Sequence, residues 1–99
     1  SYSYSVYTID VSFNANQNGN YIFCKVENGK WVPLYIGQGD LKTRTEYREN
    51  DGCVIKKGAT HIHAHINNDE KDRLKEEDDI LNMHPESYVP KGCNERKGG

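Results

Sequence analysis

Four groups of residues in this sequence have side-chain types and spacing suited to chemistry. Tyr21 and Tyr35 flank a hairpin signal, so that two phenol hydroxyls can meet across paired strands. Arg44 and Arg48 stand one helical turn apart, and guanidinium groups clamp anionic oxygens. His61, His63 and His65 alternate along one side of a strand-like segment. Residues 69–79 hold seven acids (Asp69, Glu70, Asp72, Glu76, Glu77, Asp78 and Asp79), any of which can take a cation if the fold turns it inward.

The hairpin decides whether the tyrosines meet. Two apolar runs over residues 20–37 flank Glu27-Asn28-Gly29-Lys30. A two-residue Asn28-Gly29 turn pairs Tyr21 with Ile36 and mixes side-chain types on both faces. A three-residue loop with Gly29 left-handed pairs Tyr21 with Tyr35. It also gathers Ile22, Cys24, Val26, Val32, Leu34 and Ile36 on one apolar face. Because a one-residue slip inverts every side chain, this segregation favours the three-residue loop.

Upstream, residues 4–13 alternate with Tyr7, Ile9, Val11 and Phe13 on one side, a half-buried strand, and an Asn/Gln/Gly loop follows. Downstream, Asp40 is the N-cap of a helix over 41–49. Leu41, Arg44 and Arg48 share a face of it, so Arg44 points with the apolar anchor unless its guanidinium bends out to solvent. Residues 50–60 read as a loop. Residues 60–67 read as a strand, His61, His63 and His65 against Ile62, Ala64 and Ile66. A flat ladder with side chains ~7 Å apart cannot wrap a zinc ion, which favours polar packing or nucleic-acid contact for the histidines over a metal-sensing role.

Asn68 or Asp69 caps a last helix that runs to Met83. With Leu74 at zero and ~100° per residue, Leu81 falls at about −20° and Glu77 at about −60°, inside the apolar arc. Asp78 lies at its border, and Glu76 and Asp79 on the solvent side. A carboxylate in a buried stripe needs a cation or donors, so Glu77 is expected to meet an Arg or Lys or to ligate a divalent metal. Pro85 ends the helix.

Composition bounds the class. Ile, Leu, Val and Phe make up 19 of 99 residues, yet net charge is only −2 and seven tyrosines add buriable area. We therefore expect one folded domain with a thin core, residues 1–18 forming an extra strand and loop before a core over 19–95. No apolar run reaches the roughly 18 residues that span a bilayer, and no leader is evident. Cys24, Cys53 and Cys93 lack metal-type spacing, which predicts reduced thiols and a cytoplasmic setting. The absence of an initiator Met suggests a domain taken from something longer. The acidity is local: residues 69–79 carry −4, and the remainder carries +2, centred on Lys25, Lys42, Arg44, Arg48, Lys56 and Lys57.

Gly19-Asn20-Tyr21, Leu34-Tyr35-Ile36-Gly37, Leu41-x-x-Arg44, Glu77-x-x-Ile80-Leu81, Pro85 and Cys93-Asn94 follow one another in an order that resembles the GIY-YIG nuclease superfamily. The resemblance covers residues 19 to 95. It implies a small α/β fold of the α+β type, with a central antiparallel sheet of three to four strands flanked by helices. The implied activity is metal-dependent hydrolysis of DNA phosphodiesters, with one Mg²⁺ or Mn²⁺ ion. Carried over, Tyr21 and Tyr35 are the paired tyrosines and Arg44 the phosphate-binding arginine. Glu77 is the metal-ligating carboxylate and Asn94 the terminal asparagine. Asn20 replaces the usual isoleucine, and the gap from Gly37 to Arg44 is one residue short, which makes Arg48 a rival for the arginine role. The His or Tyr that follows the arginine in relatives corresponds to Tyr47, or to His61 or His63.

On that resemblance Tyr21 is the base that takes a proton from water, its pKa lowered by the metal, Arg44 or Arg48, and Tyr35 orients the water or the phosphate. Lys25, Gln38, Arg48, His61 and His63 are candidate DNA contacts. With no helix-turn-helix or zinc finger, and no basic tail beyond Lys91, Arg96 and Lys97, low sequence specificity is expected, targeting coming from another domain, a partner or a homo-oligomer. The alternative is a binding or docking module that keeps this fold without turnover.

Overall fold

Asn28 and Gly29 both adopt positive φ, 52° and 74°, as a two-residue hairpin turn that matches strand twist requires. They join β2 (Asn18–Glu27) to β3 (Lys30–Asp40), with Glu27 opposite Lys30. The three-residue loop expected from the apolar pattern is therefore not formed. The register changes further along, where a bulge between Phe23 and Cys24 places Cys24 opposite Pro33 but Phe23 opposite Tyr35. Pro33 has no amide hydrogen for the ladder, and the irregularity falls beside it. Tyr21 consequently pairs with Gly37, not with Tyr35. The shorter turn and the extra bulge residue offset one another in parity, so Tyr21, Phe23 and Tyr35 still share a face. Beyond the bulge Trp31 and Pro33 cross to the side of Cys24 and Val26, which divides the apolar face expected there.

The computed structural model describes residues 2–95, so Arg96 and Lys97 lie outside the described residues. It shows a small α+β domain with one four-stranded antiparallel sheet in the order β1-β4-β2-β3. β1 is Ser5–Thr8 and β4 is His61–Ile66. The alternation over 4–13 is thus only partly strand. Ile9, Val11 and Phe13 leave the sheet and pack onto the core instead.

β3 and β4 both run antiparallel to β2, so the chain between them must cross one face of the sheet. That crossing is α1 (Leu41–Asp51) and a four-residue α2 (Cys53–Lys56) where a loop was expected. Asp40 caps α1 by accepting from Thr43 N–H at 3.1 Å. Under these helices lies the main core of Tyr21, Phe23, Leu41, Val54, Ile62 and Ala64.

α3 (Glu70–Met83), capped by Asp69, covers the other face. Its buried residues are Arg73, Glu76 and Ile80, while Leu74 is 45% exposed. The buried arc is therefore centred on Arg73, Glu76 and Ile80, not on Leu74. The sheet face beneath mixes Ile22 and Ile36 with Asn20, Gln38 and His65, and its polar members take polar partners. Asn20 Nδ2 donates to the Arg73 carbonyl at 2.9 Å, Arg73 Nε donates to Gln38 Oε1 at 3.1 Å, and His65 Nδ1 lies 3.1 Å from Glu76. Glu76, expected in solvent, is the deeply buried carboxylate, and Glu77 beside it is half-buried.

After a 3-10 turn (Pro85–Ser87) and a cis Val89–Pro90 bond, the chain returns to the outer edge of β3. Cys93 N–H donates to the Leu34 carbonyl at 2.7 Å. Cys93 is bonded to Cys53 in a disulfide, and Cys24 alone among the three is free and buried. The expectation of three reduced thiols is thus overturned, and the cytoplasmic setting inferred from them loses its premise. The return of the C-terminal segment to α2 could not be read from spacing. No helix among the described residues is long and apolar enough to cross a membrane.

Candidate active site

Tyr21 reaches the site from β2 and is 1% exposed. Its hydroxyl end lies over Gly37, where a β-carbon would stand well inside 3.0 Å of it. Gly37 does not serve a positive φ here; it leaves room for the ring. Half-buried Tyr35 stacks on Tyr21 with centroids 6.1 Å apart and planes 27° from parallel.

α1 brings the arginines. Its inner face carries Leu41 and Thr45, both buried, with Thr45 Oγ1 donating to the Leu41 carbonyl at 2.7 Å. One turn on, Arg48 lies with its guanidinium carbon 4.2 Å from the Tyr35 ring centroid and 5.1 Å from that of Tyr47. Asp51 is a weaker neighbour of Arg48 at 3.9 Å. Arg44 is exposed, its side chain folded against Gly39. Arg48 is therefore the arginine on the tyrosine pair, and Arg44 is in the position of bending outward.

Tyr35, Tyr47 and Arg48, though not Tyr21 or Arg44, border an open cleft of about 770 Å³. Tyr35, Tyr47 and Arg48 form one side, Glu77, Asp78 and Leu81 of α3 another, and Tyr88, Cys93, Asn94 and Glu95 the C-terminal wall. Asn94 is 6% exposed and acts as a surrogate strand partner for Ile36. It accepts from Ile36 N–H at 2.8 Å and donates from Nδ2 to the Ile36 carbonyl at 2.9 Å. Its amide thus holds the Tyr35-Ile36 segment in place, and the disulfide holds Asn94's own segment against α2.

The electrostatics differ from the expectation of a lowered tyrosine pKa. Burial pushes the Tyr21 hydroxyl well above its ordinary value and Tyr35 pushes the same way; Arg48 and Arg44 pull it down, and Glu77 raises it. Tyr35 is raised too, by burial first, against the pull of Arg48. Both phenols therefore keep their protons at neutral pH in the protein itself.

Other sequence candidates lie elsewhere. Gln38 is on the α3 side, engaged by Arg73. Lys25 is near the hairpin end, 3.2 Å from Glu27. His61 and His63 pack edge-on against Trp31, centroids 4.9 and 4.6 Å away, and burial lowers the pKa of His63. His65 faces Glu76, so the histidine trio is divided between two environments. Among the described residues no three His, Cys, Asp or Glu side chains are grouped to hold a metal ion. A closed zinc-type cage does not fit. A hard cation that keeps most of its water and takes one carboxylate does fit Glu77, which lines an open cleft together with Asp51, Asp78 and Glu95. Tyr88, Asp51 and Glu95 line the same cleft without having been expected there. They come from irregular segments or a helix end, where side-chain periodicity carries no signal.

Comparison with protein-family models, with curated proteins and with solved structures gave no match.

Proposed function

We propose that the chain is a GIY-YIG-type endonuclease that hydrolyses DNA phosphodiester bonds with the help of one magnesium or manganese ion. The observation that supports this reading best is the meeting of Tyr35, Arg48 and Glu77, from three separate elements, around one cleft, with Tyr21 stacked behind Tyr35. Arg48 takes the phosphate-clamping role in place of Arg44, because its guanidinium faces the tyrosine pair. Tyr35 Oη orients the phosphate or the attacking water. Tyr21 Oη is the proton acceptor, and with two cations pulling against burial it is ionised only in a small fraction of molecules at neutral pH. A divalent ion held by Glu77 would supply Lewis-acid neutralisation of the charge building on the phosphate and the leaving oxygen. Asn94 positions β3 and has no direct part in bond breaking.

A second reading is a DNA-binding or docking module on the same fold without turnover. The burial of Tyr21 at 1% exposure favours it, since a base must meet water. Nicking of supercoiled plasmid in Mg²⁺ or Mn²⁺, stopped by EDTA, separates the two; DNA binding with no nicking in either metal supports the module. Sequence specificity is assigned to a further domain, a partner protein or a second copy, since phosphate contacts alone bind weakly and in a salt-dependent way.

A further inference from the structure

We infer that the cleft takes a single unpaired DNA strand, such as a flap, bubble or end, and that Tyr47 at its rim stacks on a base of that strand. This rests on the nuclease reading above and names its substrate class. Three observations carry it. First, the cleft is lined by Asp51, Glu77, Asp78 and Glu95 against one arginine, Arg48. A duplex, with one charge per ~1.7 Å of axis, would lay its densest field over these carboxylates, whereas one strand brings about half that charge. Second, Tyr47 is 60% exposed although it stands on the wall shared by the cleft and a second depression lined by Asp40, Thr43, Arg44 and Arg48. An aromatic ring left open there offers stacking area that is indifferent to base identity. Third, Arg44, Tyr47 and Arg48 fall at i, i+3 and i+4 of α1, so that one helix surface presents cation, aromatic and cation over about 6 Å of axis. That order matches phosphate, base and phosphate along one strand. Duplex DNA keeps its bases inside the stack, and Tyr47 could reach one only after it had been flipped out.

The test is fluorescence anisotropy in Ca²⁺, with a labelled oligothymidylate against a hairpin duplex of equal nucleotide number. Wild type, Tyr47→Ala and Tyr47→Phe are compared, and the same wild-type preparation is assayed in Mg²⁺ for cleavage of the oligothymidylate and for plasmid nicking. Wild type should bind the oligothymidylate at least about tenfold more tightly than the hairpin. Tyr47→Ala should lose about ten- to a hundredfold on the oligothymidylate and little on the hairpin. Tyr47→Phe, which keeps the ring, should retain wild-type affinity. Equal or tighter binding of the hairpin, or equal loss on both probes in Tyr47→Ala, overturns the inference. If plasmid is nicked in that case, the nuclease reading survives alone. If the oligothymidylate is preferred and dependent on the Tyr47 ring but no DNA is cut, the strand-binding inference stands and the catalytic reading falls.

Discussion

The Tyr21 hydroxyl end lies directly over Gly37, its partner across β2 and β3, at a separation that leaves no room for a β-carbon. Gly37→Ala must therefore displace the ring, because the intruding contact is with the aromatic carbons as well as with the oxygen. Overpacking of this kind costs about 1–3 kcal/mol. Urea denaturation should show that loss as a lower midpoint with an unchanged slope, accompanied by loss of any nicking activity because Tyr21 no longer stacks in register behind Tyr35.

The relation also shows what was legible in advance. The three-residue loop that would set Tyr21 opposite Tyr35 does not form; the two rings share a face because a bulge beside Pro33 restores the parity that the two-residue turn removes, and no hydrophobic pattern reports that bulge. Asp40 and Asp69 are found at the helix starts where their short acceptor side chains predict them. The inner face of α3 combines Ile80 with polar pairs, Arg73 with Gln38 and Glu76 with His65, so Leu74 gives a false bearing on its orientation. The Cys53–Cys93 link joins segments 40 residues apart, beyond the reach of local spacing.

That disulfide ties the Asn94 segment to the start of α2. By the loop-entropy argument, cross-linking a loop of this length stabilises by about 4 kcal/mol. Reduction by dithiothreitol, or Cys53→Ser, should lower the unfolding free energy by about that amount in urea titrations. Because the Asn94 segment then loses its covalent anchor, protection of the Ile36 amide from hydrogen exchange should fall as well.

Alkaline pH should act through the buried phenols. Tyr21 and Tyr4 both have pKa values raised in the folded state, Tyr21 chiefly by burial and Tyr4 by burial followed by its hydrogen bond to Glu76. The folded state therefore holds these protons after the unfolded chain has released them. Their stabilising effect is complete below about pH 10 and declines as pH rises above it. The thermal midpoint should fall steeply above pH 10, and less steeply in Tyr21→Phe. Over pH 6 to 9 the nicking rate should climb by up to tenfold per unit without a plateau, if Tyr21 Oη must lose its proton.

Arg48 and Arg44 should separate. Arg48 lies on the Tyr35 ring inside the cleft, and Arg44 is exposed beyond it. Arg48→Ala should reduce the single-turnover nicking rate by about a hundred- to a thousandfold, the scale for removing one charge-stabilising donor. Arg44→Ala should change it by less than about tenfold and act mainly on substrate affinity at low salt.

Two adjacent carboxylates on α3 are assigned opposite duties. Glu76, 2% exposed, accepts from the Tyr4 hydroxyl and lies against His65; Glu77 borders the cleft. Glu76→Ala should cost about 2–4 kcal/mol of stability by leaving buried polar groups unmatched. Glu77→Ala, at a half-buried position, should cost less than Glu76→Ala. The most direct test of the account is then the rate at which folded wild type and Glu77→Ala nick a supercoiled plasmid in Mg²⁺. It predicts nicking by wild type that EDTA stops, and a loss of at least about a thousandfold in Glu77→Ala. Equal nicking by the two proteins would contradict it.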